Sequence, residues 1–158
     1  IPEGYIPKTG MKIMSLAEPT AKMSKSDPNA NAVVYILDDK DTIIRKFKRA
    51  VTDSDTAVRY APEEKPGVSN LLSIICALTG ESMESVVASF EGKGYGDLKS
   101  AVTDVTIETL APIQAEYARI MKDKKYMEEV YREGAQHAGY LAERTLQKFM
   151  KKIGYVAK

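Results

Sequence analysis

Two lysines and two serines lie close together in the segment EPTAKMSKSDPN, residues 18–29. Lys22 and Lys25 are three residues apart, and Ser24 and Ser26 flank the second lysine. The prolines and the asparagine of this segment predict a loop. We call residues 22–26 the lysine loop. Ammonium and hydroxyl groups on one loop can donate hydrogen bonds to a polyanion, and phosphate is the obvious ligand. A solvated polar loop without a ligand is the alternative that composition alone leaves open.

If the ligand is ATP and its α-phosphate is attacked, negative charge builds on the departing pyrophosphate. Lysines on a loop that closes over the nucleotide can then stabilise the transition state more than the ground state. Lys22 and Lys25 are therefore the candidate catalytic residues.

Composition sets the broad class of the protein. The chain has 158 residues, of which 44% are hydrophobic and 28% charged, and no apolar run approaches the roughly 20 residues of a membrane helix. We expect one globular domain, or one domain with a piece of another, in the cytoplasm and without membrane contact. The net charge of +1 means that any contact with nucleic acid must use local positive charge. The single cysteine, Cys76, is predicted to be buried and inert.

The fold class is predicted to be mainly α. Residues 1–32 are loop-rich with a short strand at Ile13 and Met14, and residues 32–39 suit a second short extended segment. We interpret this part as the edge of an α/β domain. The apolar spacing that follows predicts an antiparallel helical bundle. Its helices are expected at about 39–51, 68–79, 83–91, 97–122 and 126–153.

Local signals set the expected helix ends. Asp39 or Asp41, Ser69 and Ser82 are the predicted N-caps, and Gly80 is a predicted stop. Pro112 should kink the fourth helix unless the helix restarts there. The apolar stripes of the helices are predicted to pack against one another.

Positive charge is concentrated in TIIRKFKRAV, residues 42–51. Four cations lie opposite an apolar face there and are candidate contacts for an RNA backbone: Arg45, Lys46, Lys48 and Arg49. A solvated face is the alternative. No cluster of His, Cys or Asp has metal-ligand spacing, and His137 is expected to be exposed.

The lysine loop, read as Lys22-Met23-Ser24-Lys25-Ser26, resembles the second signature of the class I aminoacyl-tRNA synthetases. The resemblance continues through KRAVTDSD, KPGVSNLL, EGKGYGDLK and IETLAPIQAEY. The order and spacing of these runs are similar to the C-terminal part of the bacterial tryptophanyl branch, over nearly the whole chain. The tyrosyl branch typically departs from the signature at its third position, or carries a further RNA-binding domain. A fragment of a tyrosyl enzyme remains an alternative.

The resemblance implies roles for individual residues. Lys25 contacts the triphosphate during adenylate formation and Lys22 assists, while Met23, Ser24 and Ser26 complete the ATP loop. Ile13 matches a position that packs at the adenine. Residues 1–38 are then the end of a Rossmann-like α/β catalytic domain, and residues 39–158 are an anticodon-binding helical domain.

The same resemblance implies the partners. They are L-tryptophan, ATP with its Mg²⁺, and tRNA(Trp), and the full-length enzyme is expected to be a homodimer. The first class I signature is not found in this sequence, so we expect a fragment that is inactive alone. The alternative of another class is a non-catalytic helical module that binds RNA or protein.

Overall fold

The computed structural model describes residues 2–5 and 10–155, and these residues form five α-helices. The prediction of a mainly helical fold is confirmed. The short strand predicted at Ile13 and Met14 is reduced to a single antiparallel bridge between Met14 and Lys22. Residues 32–39 form bends and turns rather than a second strand. The helices, in chain order, are α1 (Lys40–Arg49), α2 (Pro66–Thr79), α3 (Met83–Ala88), α4 (Tyr95–Lys122) and α5 (Lys124–Lys152).

Side-chain caps explain where several helices begin and end. Asp39 caps α1 by accepting a hydrogen bond from the Thr42 N–H at 2.7 Å, and Ser82 caps α3 in the same way. Gly80 ends α2 in the left-handed conformation, with φ of 77°. The prediction that Ser69 caps α2 is wrong. Proline already starts the helix at Pro66, and the Ser69 hydroxyl instead accepts from the Ala61 N–H.

The chain divides into two compact units, and the hydrophobic core described here belongs to the first, Ile1–Gln114. It is built from the apolar faces of α1, α2 and α3 and from the first half of α4. Burying each large aliphatic or aromatic side chain contributes about 1.5–3 kcal/mol. The fully buried large side chains of this core are Leu16, Ile43, Phe47, Val68, Leu71, Leu72, Leu98 and Val102.

The second unit, Ala115–Lys158, contains the end of α4 and all of α5. Helix α4 is continuous through Pro112. None of the described residues of α5 is buried. The prediction that the α5 stripe is buried against other helices is therefore wrong for this chain, and Val130, Leu141 and Phe149 are about half exposed.

A buried lysine connects the segment before α2 to the start of α4. The Lys65 ammonium lies 3.0 Å from Asp53 Oδ1 and 2.7 Å from Asp55 Oδ2, and it donates to the Tyr95 hydroxyl. The hydrogen bond from Lys65, together with those from the Thr56 and Ala57 N–H groups, lowers the pKa of Asp55 to about 2. Burial alone would lower the pKa of Lys65, but its three partners outweigh burial and raise it.

The start of α2 lies so close to the chain before it that only glycine fits at residue 67. A Cβ there would lie 2.1 Å from the Val51 carbonyl oxygen. We expect Gly67→Ala to lower the free energy of unfolding by about 1–3 kcal/mol, because the contact forces the backbone apart. Gly96→Ala is the matched control, because its Cβ would meet no atom within 4 Å.

Denaturant unfolding measures the stability of both variants. The control should unfold at an unchanged or slightly higher denaturant concentration, since alanine favours a helix over glycine. Equal midpoints for the two variants would show that α2 is not held against Val51.

Candidate functional site

The lysine loop begins at one end of a short antiparallel pairing between two segments of the chain. The Met23 N–H donates to the Ile13 carbonyl at 3.0 Å, and the Ser15 N–H donates to the Ala21 carbonyl at 2.9 Å. We call residues Ile13–Leu16 the frame segment. Its pairing with residues 21–23 fixes where the lysine loop begins.

Helix α2 holds the frame segment through one buried side chain. The Asn70 carboxamide accepts from the Met14 N–H and donates to the Met14 carbonyl, both at 2.8 Å. Asn70 is only 5% exposed, and both of its hydrogen bonds join residues 56 positions apart. Because buried main-chain groups must be paired, this amide substitutes for a neighbouring strand.

The chain returns to the frame segment after the lysine loop. The Asp27 side chain accepts from the Asn29 N–H and the Asn29 side chain accepts from the Asn31 N–H, which makes two successive tight turns. The Leu16 N–H then donates to the Ala32 carbonyl at 2.9 Å. Residues 16–32 thus form a closed loop, because its first and last residues are hydrogen-bonded to each other.

Within the lysine loop, the side chains divide between the core and solvent. Met23 is half-buried against the hydrophobic core, whereas Lys22, Ser24, Lys25 and Ser26 are exposed. The Ser24 hydroxyl also accepts from the Ser26 N–H, and the Ser24 carbonyl accepts from the Asp27 N–H. In the part of the chain that the structure describes, neither lysine forms an ion pair. Both ammonium groups are therefore available to an anion.

Ile13, the residue predicted to lie at an adenine, is half-buried on the same side as Met23. Its carbonyl is occupied by the Met23 N–H. Ile13 and Met23 line an apolar cavity of about 190 Å³, together with side chains of α1, α2 and α4. The structure thus brings Ile13 and the lysine loop together.

The four cations of α1 that were predicted to contact RNA do not share one surface. Arg45, Lys48 and Arg49 are exposed, but Lys46 is only 3% exposed and forms an ion pair with Asp38. The prediction that Lys46 belongs to a solvent-facing cationic surface is wrong. Lys46 lies three residues after buried Ile43 and four before buried Ala50, and this spacing puts it on the apolar face of the helix.

Sequence reasoning missed the residues that hold the site together. Asn70 had a signal, because it is a polar residue inside the otherwise apolar run VSNLLSIICAL. A buried polar side chain needs partners, and these turned out to be main-chain groups. No comparable signal marked Tyr35, whose hydroxyl donates to the Lys25 carbonyl, or Gln114, whose amide donates to the carbonyls of Ile36 and Asp38.

The described ranges 2–5 and 10–155 contain no group of three or more His, Cys, Asp or Glu that could hold a metal ion. No described helix is long and apolar enough to cross a membrane.

Comparison with known proteins shows to which family the chain belongs. The sequence profile of the family described as "tRNA synthetases class I (W and Y)" matches residues 1–111. The chain belongs to this family. It is 47% identical over 156 residues to the tryptophan–tRNA ligase of Clostridium perfringens and 45% identical to that of Clostridium acetobutylicum. Each alignment covers 99% of this chain but only 47% and 46% of the relative, so the chain spans about half the length of these class I synthetases.

Solved structures of the family support the fold. The tryptophanyl-tRNA synthetase of Mycoplasma pneumoniae matches 95% of this chain with a TM-score of 0.79 at 34% identity, and 45% of that chain is covered. The enzyme of Campylobacter jejuni, solved in complex with ADP and tryptophan, matches 90% of this chain with a TM-score of 0.69. This second match, at 22% identity and covering 43% of that chain, shows the fold alone.

Proposed function

We propose that this chain is part of a tryptophan–tRNA ligase, in which the lysine loop binds ATP. The observation that carries the proposal is the exposure of two lysines and two serines on a loop whose ends are fixed by main-chain hydrogen bonds, where neither lysine forms an ion pair with the described residues. The similarity to tryptophan–tRNA ligases at 47% and 45% identity supports tryptophan as the amino acid.

The reaction assigns a task to each group of the loop. An oxygen of the tryptophan carboxylate attacks the α-phosphorus of ATP, the bond to the pyrophosphate oxygen breaks, and tryptophanyl-adenylate forms. The ammonium of Lys25, assisted by Lys22, stabilises the charge that grows on the pyrophosphate. Ser24 and Ser26 offer hydroxyl donors to the same anion, and Ile13 packs near the adenine. Magnesium accompanies ATP in this proposal.

The second step transfers the tryptophanyl group to tRNA(Trp). A ribose hydroxyl at the 3′ end of the tRNA attacks the carbonyl carbon of the adenylate, and AMP leaves. The helices that follow residue 38 are proposed to contact the tRNA, with the anticodon read by the helical part. Exposed aromatic and arginine side chains suit the stacking of unpaired bases. On α4 and α5 these include Tyr117, Arg119, Tyr126, Tyr131, Arg132 and Tyr140.

Three of the four predicted cations of α1 are proposed to contact the RNA backbone. Arg45, Lys48 and Arg49 are exposed and can neutralise phosphates, whereas the ammonium of Lys46 is occupied by Asp38.

Removing the Lys25 ammonium tests the catalytic role of the lysine loop. In the full-length ligase we expect Lys25→Ala to lower kcat for tryptophan-dependent ATP–pyrophosphate exchange about 100-fold. The dissociation constant for tryptophan should change less than about twofold, because the charge acts mainly in the transition state. Lys40→Ala, which removes another exposed lysine, is the control and should leave both values unchanged. A preserved exchange rate with weakened tryptophan binding would contradict the assignment.

Charging of altered tRNA tests the role of the helical part. We expect substitution of anticodon bases in tRNA(Trp) to lower kcat/KM for charging by the full-length ligase at least tenfold, because stacking and edge contacts of splayed bases are lost. Substitution of a base pair in a tRNA stem away from the anticodon and the 3′ end provides the control. Equal charging of all three tRNAs would leave the helices as support for the lysine loop.

A further inference from the structure

We propose that Tyr35 is a positioning residue that holds the far end of the lysine loop. Its hydroxyl donates a hydrogen bond to the Lys25 main-chain carbonyl at 3.2 Å. This contact leaves the Lys25 ammonium free, because only the carbonyl is used. The inference rests on the proposed function, since it assigns Tyr35 to the orientation of a proposed ATP-binding lysine.

Tyr35 is itself fixed by two charged residues, one at its main chain and one at its ring. The Tyr35 N–H donates to Asp38 Oδ2 at 2.8 Å, and the same oxygen accepts from the Lys46 ammonium. That ammonium also lies 4.8 Å from the centre of the Tyr35 ring, within the range of a cation–π interaction. Asp38 therefore holds the main chain of Tyr35, and the buried lysine that pairs with Asp38 holds the ring. This gives Lys46 a role that differs from RNA contact.

Helix α4 fixes the segment on which Tyr35 and Asp38 lie. The Gln114 side-chain amide donates to the Ile36 carbonyl at 2.7 Å and to the Asp38 carbonyl at 2.9 Å. A continuous set of contacts thus runs from Gln114 through Asp38 and Tyr35 to the main chain of Lys25. Tyr35 is the last side chain in this set before the loop.

These contacts give the lysine loop an anchor at each end. Lys22 is held by its bridge to Met14, and the Lys25 carbonyl is held by Tyr35. A loop that is ordered before the triphosphate arrives loses less conformational entropy on binding. Losing one neutral, partly exposed hydrogen bond should therefore weaken use of ATP by about two- to tenfold.

Tyr35→Phe removes the hydroxyl and keeps the ring over Lys46. In the full-length ligase we expect kcat/KM for ATP in tryptophan-dependent pyrophosphate exchange to fall about two- to tenfold. The KM for tryptophan and the melting temperature should be unchanged. If Tyr35 had a purely structural role, these two values would change together with kcat/KM for ATP. Tyr60→Phe is the matched control, because Tyr60 is exposed to a similar extent, 46% against 39% for Tyr35, and it should match the wild type.

Hydrogen exchange provides a measurement that does not depend on activity. The amides of residues 24–27 should exchange about two- to tenfold faster in Tyr35→Phe than in the wild type, and no faster in Tyr60→Phe. Unchanged amide hydrogen exchange of residues 24–27 in Tyr35→Phe would overturn the role of Tyr35. An unchanged or raised kcat/KM for ATP in this variant would overturn it as well. A wild-type protein that shows no tryptophan-dependent exchange of pyrophosphate would instead refute the proposed function, and the amide measurement would still decide whether Tyr35 holds the loop.

Discussion

The frame segment, Ile13–Leu16, has most of its main-chain polar groups hydrogen-bonded to other parts of the chain, and the rest of the site depends on these bonds. Asn70 pairs with both groups of Met14, and the Leu16 carbonyl accepts from the Val51 N–H at 2.8 Å. The residues on either side of the lysine loop bond to the same segment. Because each unpaired buried group would cost about 1–3 kcal/mol, the segment has few alternatives to this arrangement.

In this arrangement, the groups that hold the lysine loop in place are different from the side chains proposed to bind the anion. Main-chain hydrogen bonds hold the lysine loop, so the side chains of Lys22 and Lys25 are not needed for its structure and can face solvent. The one apolar side chain of the loop, Met23, packs against the core and sets which way the loop faces. The buried cation next to the site, Lys46, is neutralised by Asp38, so it adds rigidity without competing for an anion.

Features that depend on local sequence could be predicted. Asp39 and Ser82 are helix caps because their partners lie three residues away, and Gly80 is a stop because only glycine adopts its φ without strain. The lysine loop was also predicted from adjacent residues. Its order Lys22-Met23-Ser24-Lys25-Ser26 carried the resemblance to the family that the profile later matched.

Features that depend on distant partners could not be predicted. Asn70 bonds to a residue 56 positions away, and Gln114 to residues 76 and 78 positions away, so no local pattern announces either contact. Lys46 was misassigned because charge counted along the helix does not reveal which cation lies over the core. The stripe of α5 was predicted to be buried from spacing alone. Spacing shows that a helix has an apolar face, but it does not identify the surface that covers the face.

Asn70 orders the lysine loop by pairing with both main-chain groups of Met14. Hydrogen exchange in the full-length protein tests this most directly, with Asn70→Leu compared with Ser73→Ala, a change on the same helix that removes a bond within α2. In Asn70→Leu the amides of Ser15 and Met23 should exchange at least tenfold faster than in the wild type, because two main-chain groups of Met14 lose their partner. They should be unchanged in Ser73→Ala. Unchanged exchange of both amides in Asn70→Leu would contradict the account and would leave Asn70 as a residue that stabilises α2 packing only.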